Sequence, residues 1–234
     1  MVVVNDYDIQ EVTETVSAFF GPLTEEQRRY VMDNFEMRIY EKGEALYEEN
    51  DYPRYMMCLL HGKVMISKQG NGGRPQIIRM IKEEAFFGYR PAITGEDHHT
   101  SAYACEESTI GVIPIEVVKE MVRNNNSLAV YFLKQLASLL GDADMLTVSL
   151  TQKHTRGRLA QSLLALKEKY GVEEDGCTLN IRLSREELAN MSNMITNNAI
   201  RTLSAFASEG LVDVSGKEIR IIDERRLLKV SQTG

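Results

Sequence analysis

Residues 183–222 read LSREELANMSNMITNNAIRTLSAFASEGLVDVSGKEIRII, and this stretch decides the fold of the C-terminal third. Ser184 stands three residues before Glu187. That is the spacing of a capping box, in which hydroxyl and carboxylate each satisfy a backbone N–H at a helix start. Leu188 and Ala189 then point inward. Ser192-Asn193-Met194 predicts a tight turn, because Asn is the side chain that best tolerates positive φ after Gly. A second helix is expected from Thr196 to Glu209, stopped by Gly210. Ala199, Ile200, Leu203, Phe206 and Ala207 form its apolar stripe, and Asn197, Arg201, Ser204 and Ser208 its outward face. Leu211–Val214, a turn at Ser215-Gly216-Lys217 and Glu218–Ile222 complete a β-hairpin. Helix, tight turn, helix, hairpin is the order of a winged helix-turn-helix.

The chemistry of the second helix fits a DNA major groove. Arg pairs with guanine edges and Asn with adenine. Asn197 and Arg201 are four apart and share a face. Thr196, Asn197, Asn198 and Arg201 are the candidate base-side contacts, with Thr196 as the expected helix cap. Lys217, at the hairpin tip, is the candidate phosphate contact.

Upstream, Lys153-His-Thr-Arg-Gly-Arg158 has the composition of a hinge, and Leu159–Tyr170 reads as a helix closed by Gly171. Before the hinge, residues 127–152 predict one long helix, roughly 40 Å at 1.5 Å per residue. Leu128, Phe132, Leu136, Leu139, Ala143, Leu146 and Leu150 recur at steps of three and four. Such a near-heptad seam is expected to pack on a second copy of the same helix.

From Phe35 to Pro114 the pattern becomes short strands between turn signals. Strands are expected at Glu36–Tyr40, Ala45–Tyr47, Tyr55–His61, Lys63–Lys68, Gln76–Ile81, Ser101–Cys105 and Ser108–Ile113, with a turn at Gly70–Gly73. This is the signature of a barrel or roll. Two helices flank it, Thr24–Asn34 with Thr24 as N-cap, and Ile115–Arg123. The fold class is therefore α+β: an N-terminal double-stranded β-roll over residues 1–126, a long dimerisation helix over 127–152, and a winged helix-turn-helix over 153–234.

Composition sets the bounds. The 234 residues carry a net charge of −7, with 43% hydrophobic and 26% charged residues, as in globular proteins. The basic residues are unevenly placed: the part after residue 152 has a small positive excess and the part before it a larger negative one. A basic C-terminal part suits phosphates despite the acidic total. No apolar run is long enough to span a bilayer, and Met1 to Gln10 lacks a basic segment followed by an apolar core, so neither membrane association nor a signal peptide is expected. Cys58, Cys105 and Cys177 fit reduced thiols rather than a disulfide framework. His98 and His99 are adjacent and would point apart on a strand, so no metal site is expected. No Gly-rich phosphate loop or Gly-x-Ser-x-Gly is present, and no catalytic residues are expected.

Three groups of residues, in this order, resemble the Crp–Fnr family of bacterial regulators. Lys42-Gly43-Glu44-Ala-Leu46 with Asn50-Asp51, then Leu60-His-Gly62-Lys-Val64, Phe86-Phe87-Gly88 and Ser101-Ala102, resemble its cyclic-nucleotide-binding β-roll. The helix 127–152 resembles its dimer helix. Ala199-Ile-Arg201-Thr-Leu203 and Glu209-Gly210-Leu211-Val212 resemble its DNA-reading helix and the entry to its wing. The resemblance implies a cytoplasmic homodimer that binds two-fold-symmetric double-stranded DNA, with RNA polymerase as a further partner. It also implies an effector pocket around Gly88, Tyr89, Arg90, His99, Thr100 and Ser101.

The sequence departs from the family where cyclic AMP is held. Members that bind it have Glu just after Phe-Gly and Arg just before Ser-Ala; here Tyr89 and Thr100 stand at those places. Cyclic AMP is therefore not the expected effector, because a phosphate in a low-dielectric pocket needs a cation. A different anionic effector held by Arg90, His98 or His99, or a roll with no ligand, both stay open. Three scattered cysteines do not make the four-thiolate iron–sulfur set of the oxygen-sensing branch, and none of His61, His98, His99 and His154 carries a haem signature; no cofactor is expected. A signalling module without DNA binding is the competing reading, disfavoured by the basic winged helix.

Overall fold

Strand Tyr55–His61 shows why the N-terminal half needs cover on both faces of its sheet. Its side chains alternate between two separate cores: Met56 and Cys58 join one, Met57 and Leu59 the other. Period-two geometry allows this only where each face is covered. Strand Ser108–Pro114 repeats the device, with Ile110 and Val112 on one side and Ile113 on the other.

The computed structural model describes residues 2–4, 19, 21–70 and 73–233. Of Met1 to Gln10, all but Val2–Val4 lie outside the described residues, as do Asn71 and Gly72 of the expected turn. The chain divides into two compact units, Met1–Gln69 with Ile78–Leu139, and Gly70–Ile77 with Leu140–Gly234. The elements up to the long helix run β1 (Val2–Val4), α1 (Glu25–Asp33), β2 (Glu36–Tyr40), β3 (Ala45–Tyr47), β4 (Tyr55–His61), β5 (Val64–Gln69), β6 (Pro75–Ile81), β7 (Phe86–Phe87), α2 (Arg90–Thr94), β8 (Ser101–Ala104), β9 (Ser108–Pro114), α3 (Ile115–Asn124) and α4 (Asn126–Gln152). One sheet has the order β1-β2-β9-β4-β7 and the other β3-β8-β5-β6. The seven expected strands are present within one residue at each end. β1, β7 and the single-turn helix α2 are additions that composition did not mark.

Between the sheets lies a core of Tyr40, Met57, Leu59, Val64, Ile66, Phe87, Ala102 and Ile110. The second core sits on the outer face of the five-stranded sheet, where Val31, Phe35, Val118, Met121, Leu128 and Phe132 cover Met56 and Ile113. Gly62 marks a close approach: at φ 99° a Cβ there would fall 2.4 Å from the Ser108 hydroxyl oxygen. Thr24 caps α1 in a full capping box with Gln27. Asn125 sits in extended backbone, and its Oδ1 accepts from the Leu128 N–H at 3.0 Å, which separates α3 from α4.

The C-terminal elements are α5 (Thr155–Tyr170), α6 (Arg185–Met191), α7 (Thr196–Ser208), β10 (Val212–Ser215), β11 (Glu218–Ile221) and α8 (Glu224–Thr233). The hinge expected at Lys153–Arg158 is shorter than its composition suggested. Only Lys153 and His154 interrupt the helices, and Gly157 lies buried inside α5. Gly171 closes α5 as expected, its N–H donating to the Lys167 carbonyl at 2.8 Å. α8 was not anticipated, although Asp223 accepts from the Arg226 N–H at 2.9 Å as a cap and Leu227 is fully buried.

Candidate nucleic-acid interface and effector cavity

The helix-turn-helix is assembled by local hydrogen bonds. The Glu187 N–H donates to Ser184 Oγ at 3.1 Å and the Ser184 N–H to Glu187 Oε2 at 2.6 Å, the two halves of the capping box. Asn193 takes φ 48° in the turn, as its residue type suggested. The turn is then clamped from α5. Arg158 donates from Nε to the Ser192 carbonyl at 2.8 Å, from Nη2 to that of Asn193 at 2.9 Å, and from Nη1 to that of Lys153 at 2.9 Å. Sequence reasoning placed Arg158 in a flexible hinge and missed this function. Its signal was a single guanidinium beside a helix start, which is uninformative until the turn folds over it.

α7 buries Ala199, Leu203 and Phe206. Two expectations are corrected here. Ile200 is 42% exposed rather than buried, because on a 3.6-residue period it falls between Asn197 and Ser204 on the outward face. Thr196 is the first helical residue and not the cap; Ile195 occupies the cap position, so no side chain satisfies the first N–H groups of α7. Asn197 and Arg201 are exposed, while Thr196 and Asn198 are half-buried. Arg201 Nη2 donates to Asn198 Oδ1, which joins two of the candidate contacts into one unit. β10 and β11 pair from Val212↔Ile221 to Ser215↔Glu218, leaving Gly216-Lys217 as the turn with Gly216 at φ 57° and Lys217 exposed. Arg185 Nη2 donates to the Gly216 carbonyl at 2.6 Å and fixes that tip against α6.

In the roll, a cavity of about 350 Å³ opens beside β7 and α2. Gly88, Tyr89, Arg90, His99 and Thr100 line it, as expected from the sequence. Ser101 does not; its hydroxyl accepts the Glu49 N–H at 3.0 Å and serves the sheet edge. Arg79, Tyr47, Phe86, Leu136 and Leu139 also line it and were not foreseen there. Arg79 stands between Ile78 and Met80 in the strand Pro75–Ile81, which was the available signal. Gly88 has φ 81°, and a Cβ there would lie 3.3 Å from the Tyr55 carbonyl oxygen.

Burial raises the Tyr47 phenol above its ordinary value, opposed by a hydrogen bond with Thr100 and by the charges of Arg79 and Arg90. Tyr89 is likewise raised by burial and pulled down by the same two arginines. Tyr89 also meets the Phe132 ring edge-on at 5.0 Å, which ties the cavity floor to α4. His98 points away from solvent and stacks on Tyr47 at 3.7 Å.

The seam expected on α4 needs correction. Leu128 is fully buried and Phe132 4% exposed, both inside the core of the roll itself. Leu136 packs against the same core, and Leu139 is half-buried on the cavity wall. Ala143 is exposed, and Leu146 and Leu150 are half-buried. The large apolar side chains exposed on α4 are Val130, Leu133, Leu140, Met145 and Val148, with Leu133 and Leu140 each 65% exposed. The sequence period is real, but its N-terminal half belongs to the roll, and the exposed large apolar side chains lie off that stripe.

Two family models match the chain, a cyclic nucleotide-binding domain over residues 37–125 and a Crp-like helix-turn-helix domain over 157–230. The chain is a member of the Crp–Fnr family of transcription regulators. Among its Crp–Fnr relatives, the Global nitrogen regulator of Nostoc sp. is 23% identical over 185 residues, 78% of this chain and 83% of that protein. The CRP-like cAMP-activated global transcriptional regulator of Mycobacterium tuberculosis is 22% identical over 191 residues, 81% of this chain and 85% of the other. The structure of FixK2 from Bradyrhizobium japonicum superposes with a TM-score of 0.77 at 21% identity, covering 85% of this chain and 98% of FixK2. Against the Crp–Fnr pattern, the two departures now have structural roles. Tyr89 is a core residue under α4, and Thr100 is engaged by Tyr47.

Proposed function

We propose that this Crp–Fnr regulator acts in the cytoplasm as a homodimer on a two-fold-symmetric operator, under the control of a small effector other than cyclic AMP held in the β-roll. Residues 1–126 form the effector domain, 127–152 the dimerisation helix and 153–234 the DNA-binding domain, and RNA polymerase is the downstream partner. The observation that carries this reading is the outward face of α7. Asn197, Ile200, Arg201 and Ser204 are exposed together on a helix whose other face is locked into a core and whose preceding turn is clamped by Arg158. Amide and guanidinium groups read adenine and guanine edges, and Ile200 offers an apolar surface to a thymine methyl. The exposed leucines of α4 support the dimer, since an apolar helix face in water is stabilised by a partner.

Selection of operators from a random duplex pool tests this directly. A two-fold-symmetric motif is expected, bound with an affinity that falls by roughly a thousandfold between about 50 and 200 mM salt if six or more phosphates are contacted. Recovery of no symmetric motif, or an affinity indifferent to salt, contradicts the proposal.

A further inference from the structure

α7 exposes a row of polar side chains, and Asn198 is not in that row. At about 100° per residue, Asn197, Arg201, Ser204 and Ser208 fall within roughly 60° of one another, and all four are exposed. Asn198 lies about 100° round the helix from Asn197. It is half-buried, as are Thr202 and Ala205 on the same flank. Its backbone is set in the first turn, where its N–H donates to the Ile195 carbonyl at 2.9 Å. Its side chain is turned to Arg201: Oδ1 accepts a hydrogen bond from Arg201 Nη2. A guanidinium carries donors only, so the amide must present its oxygen there. Among the described residues Arg201 makes no ion pair, and this bond is the restraint on its long side chain. An amide that pairs with adenine uses both its oxygen and its nitrogen, and the oxygen of Asn198 is already given to Arg201. The Asn197 amide makes no side-chain hydrogen bond among the described residues.

From this placement we infer that Asn198 is a positioning residue: it reads no base itself and holds the Arg201 guanidinium in the orientation that pairs with guanine. That role rests on the outward face of α7 being the surface that enters the major groove. A guanidinium has more N–H donors than this bond uses, so two-point pairing with a guanine edge stays open. A free Arg side chain gives up rotamer freedom when it meets a base. One held in advance gives up less, and more of the guanine contact then appears as discrimination. The two adjacent amides of α7 therefore divide their tasks. Asn197 faces outward with both amide atoms available, and Asn198 works from the flank through Arg201.

The test selects an operator for the full-length wild type from a random duplex pool. Affinities are then measured for that operator, for operators changed one base pair at a time and for random duplex, with the wild type, Asn198→Ala, Arg201→Ala, the double substitution and Asn198→Asp. Asn198→Ala should lower the ratio of specific to non-specific affinity by about two- to tenfold per half-site. It should relax the preference at the base pair that Arg201→Ala relaxes, and at no other. The double substitution should lose no more than Arg201→Ala alone, because a positioning group contributes nothing once its target is gone. Asn198→Asp keeps the acceptor. Its carboxylate weakens binding to every duplex by repelling phosphates, yet the ratio and the preference at that base pair should stay within about twofold of the wild type. Ala favours a helix more than Asn does, so the melting temperature of Asn198→Ala should not fall. Relaxation at a different base pair makes Asn198 a base reader, and an equal loss on all duplexes makes it a phosphate contact. Either result overturns the inference, as does an unchanged ratio in Asn198→Ala, a double substitution that loses the sum of both, or no rescue by Asn198→Asp. A wild type that selects no operator removes the regulator reading itself. A selected operator whose base preferences survive Arg201→Ala removes this inference alone.

Discussion

Arg201 and Lys217 are proposed to meet a duplex in different ways. Arg201 lies one turn into α7 on its outward face, positioned for base edges, and Lys217 sits at the hairpin tip, where the backbone passes. A bidentate Arg–guanine pair contributes about 1–3 kcal/mol of discrimination, while a phosphate contact carries no sequence information. Arg201→Ala should therefore lower the ratio of specific to non-specific affinity by about ten- to a hundredfold. Lys217→Ala should weaken both affinities alike and reduce the salt slope by about one per half-site. Binding at several salt concentrations measures both; an unchanged ratio in Arg201→Ala makes Arg201 a phosphate clamp and moves base reading to Asn197 and Asn198. His98 makes a second prediction at this scale. Burial holds its imidazole below the ordinary value, with Asp51 and Asp97 pulling it back up. The folded chain thus takes a proton less readily than the unfolded one. As pH falls below about 6.5, the unfolded state gains a proton that the folded state resists, and stability declines until the lower folded pKa is reached. His98→Phe keeps a ring on Tyr47 without a titrating group. Its melting temperature should fall less than that of the wild type between about pH 7 and 5.5, and an equally steep fall assigns the effect to other groups.

At the scale of the element, α4 has one face in the core of the roll and large apolar side chains exposed elsewhere. Leu128 is buried in the roll, so Leu128→Ala should cost about 2–5 kcal/mol of unfolding free energy in a denaturant titration. Leu140 is exposed on the face assigned to the partner. Leu140→Asp should yield a folded monomer by sedimentation at micromolar concentration, because a carboxylate buried at that seam is costly. A dimer that survives Leu140→Asp places the interface elsewhere. The same scale explains the turn of the helix-turn-helix. Its carbonyls are bonded by Arg158, and charged hydrogen bonds of this kind contribute about 1.5–3 kcal/mol each when sheltered from water. Arg158→Met should destabilise the C-terminal unit and weaken all duplexes equally, which separates it from Arg201→Ala.

Over the whole molecule, the part before residue 153 carries the acidic excess and the part after it a small basic excess. The two side chains that hold cyclic AMP in members that bind it are absent from this chain. Tyr89 stands where its ribose hydroxyl would need an acceptor, and the Thr100 hydroxyl is already engaged by Tyr47. Calorimetry of the full chain with cyclic AMP should show no binding tighter than about 100 μM, since a lost charge-assisted contact costs roughly 2–5 kcal/mol; micromolar binding means that Arg90 or another group supplies the phosphate contact instead. Strand positions, the capping box at Ser184–Glu187, the Asn193 turn and the length of α4 follow from the chain itself, because propensity, capping and period act over neighbouring residues. Three features do not follow from it. Which face of α4 is free was decided when Leu128 and Phe132 docked on the roll. Which side chains wall the cavity was decided by the sheet order, which brings Arg79 of β6 and Arg90 of α2 to one cavity. That Arg158 clamps the turn was decided when α5 came beside Ser192 and Asn193. Each depends on residues far apart in sequence being brought together, and local periodicity carries no record of such distances.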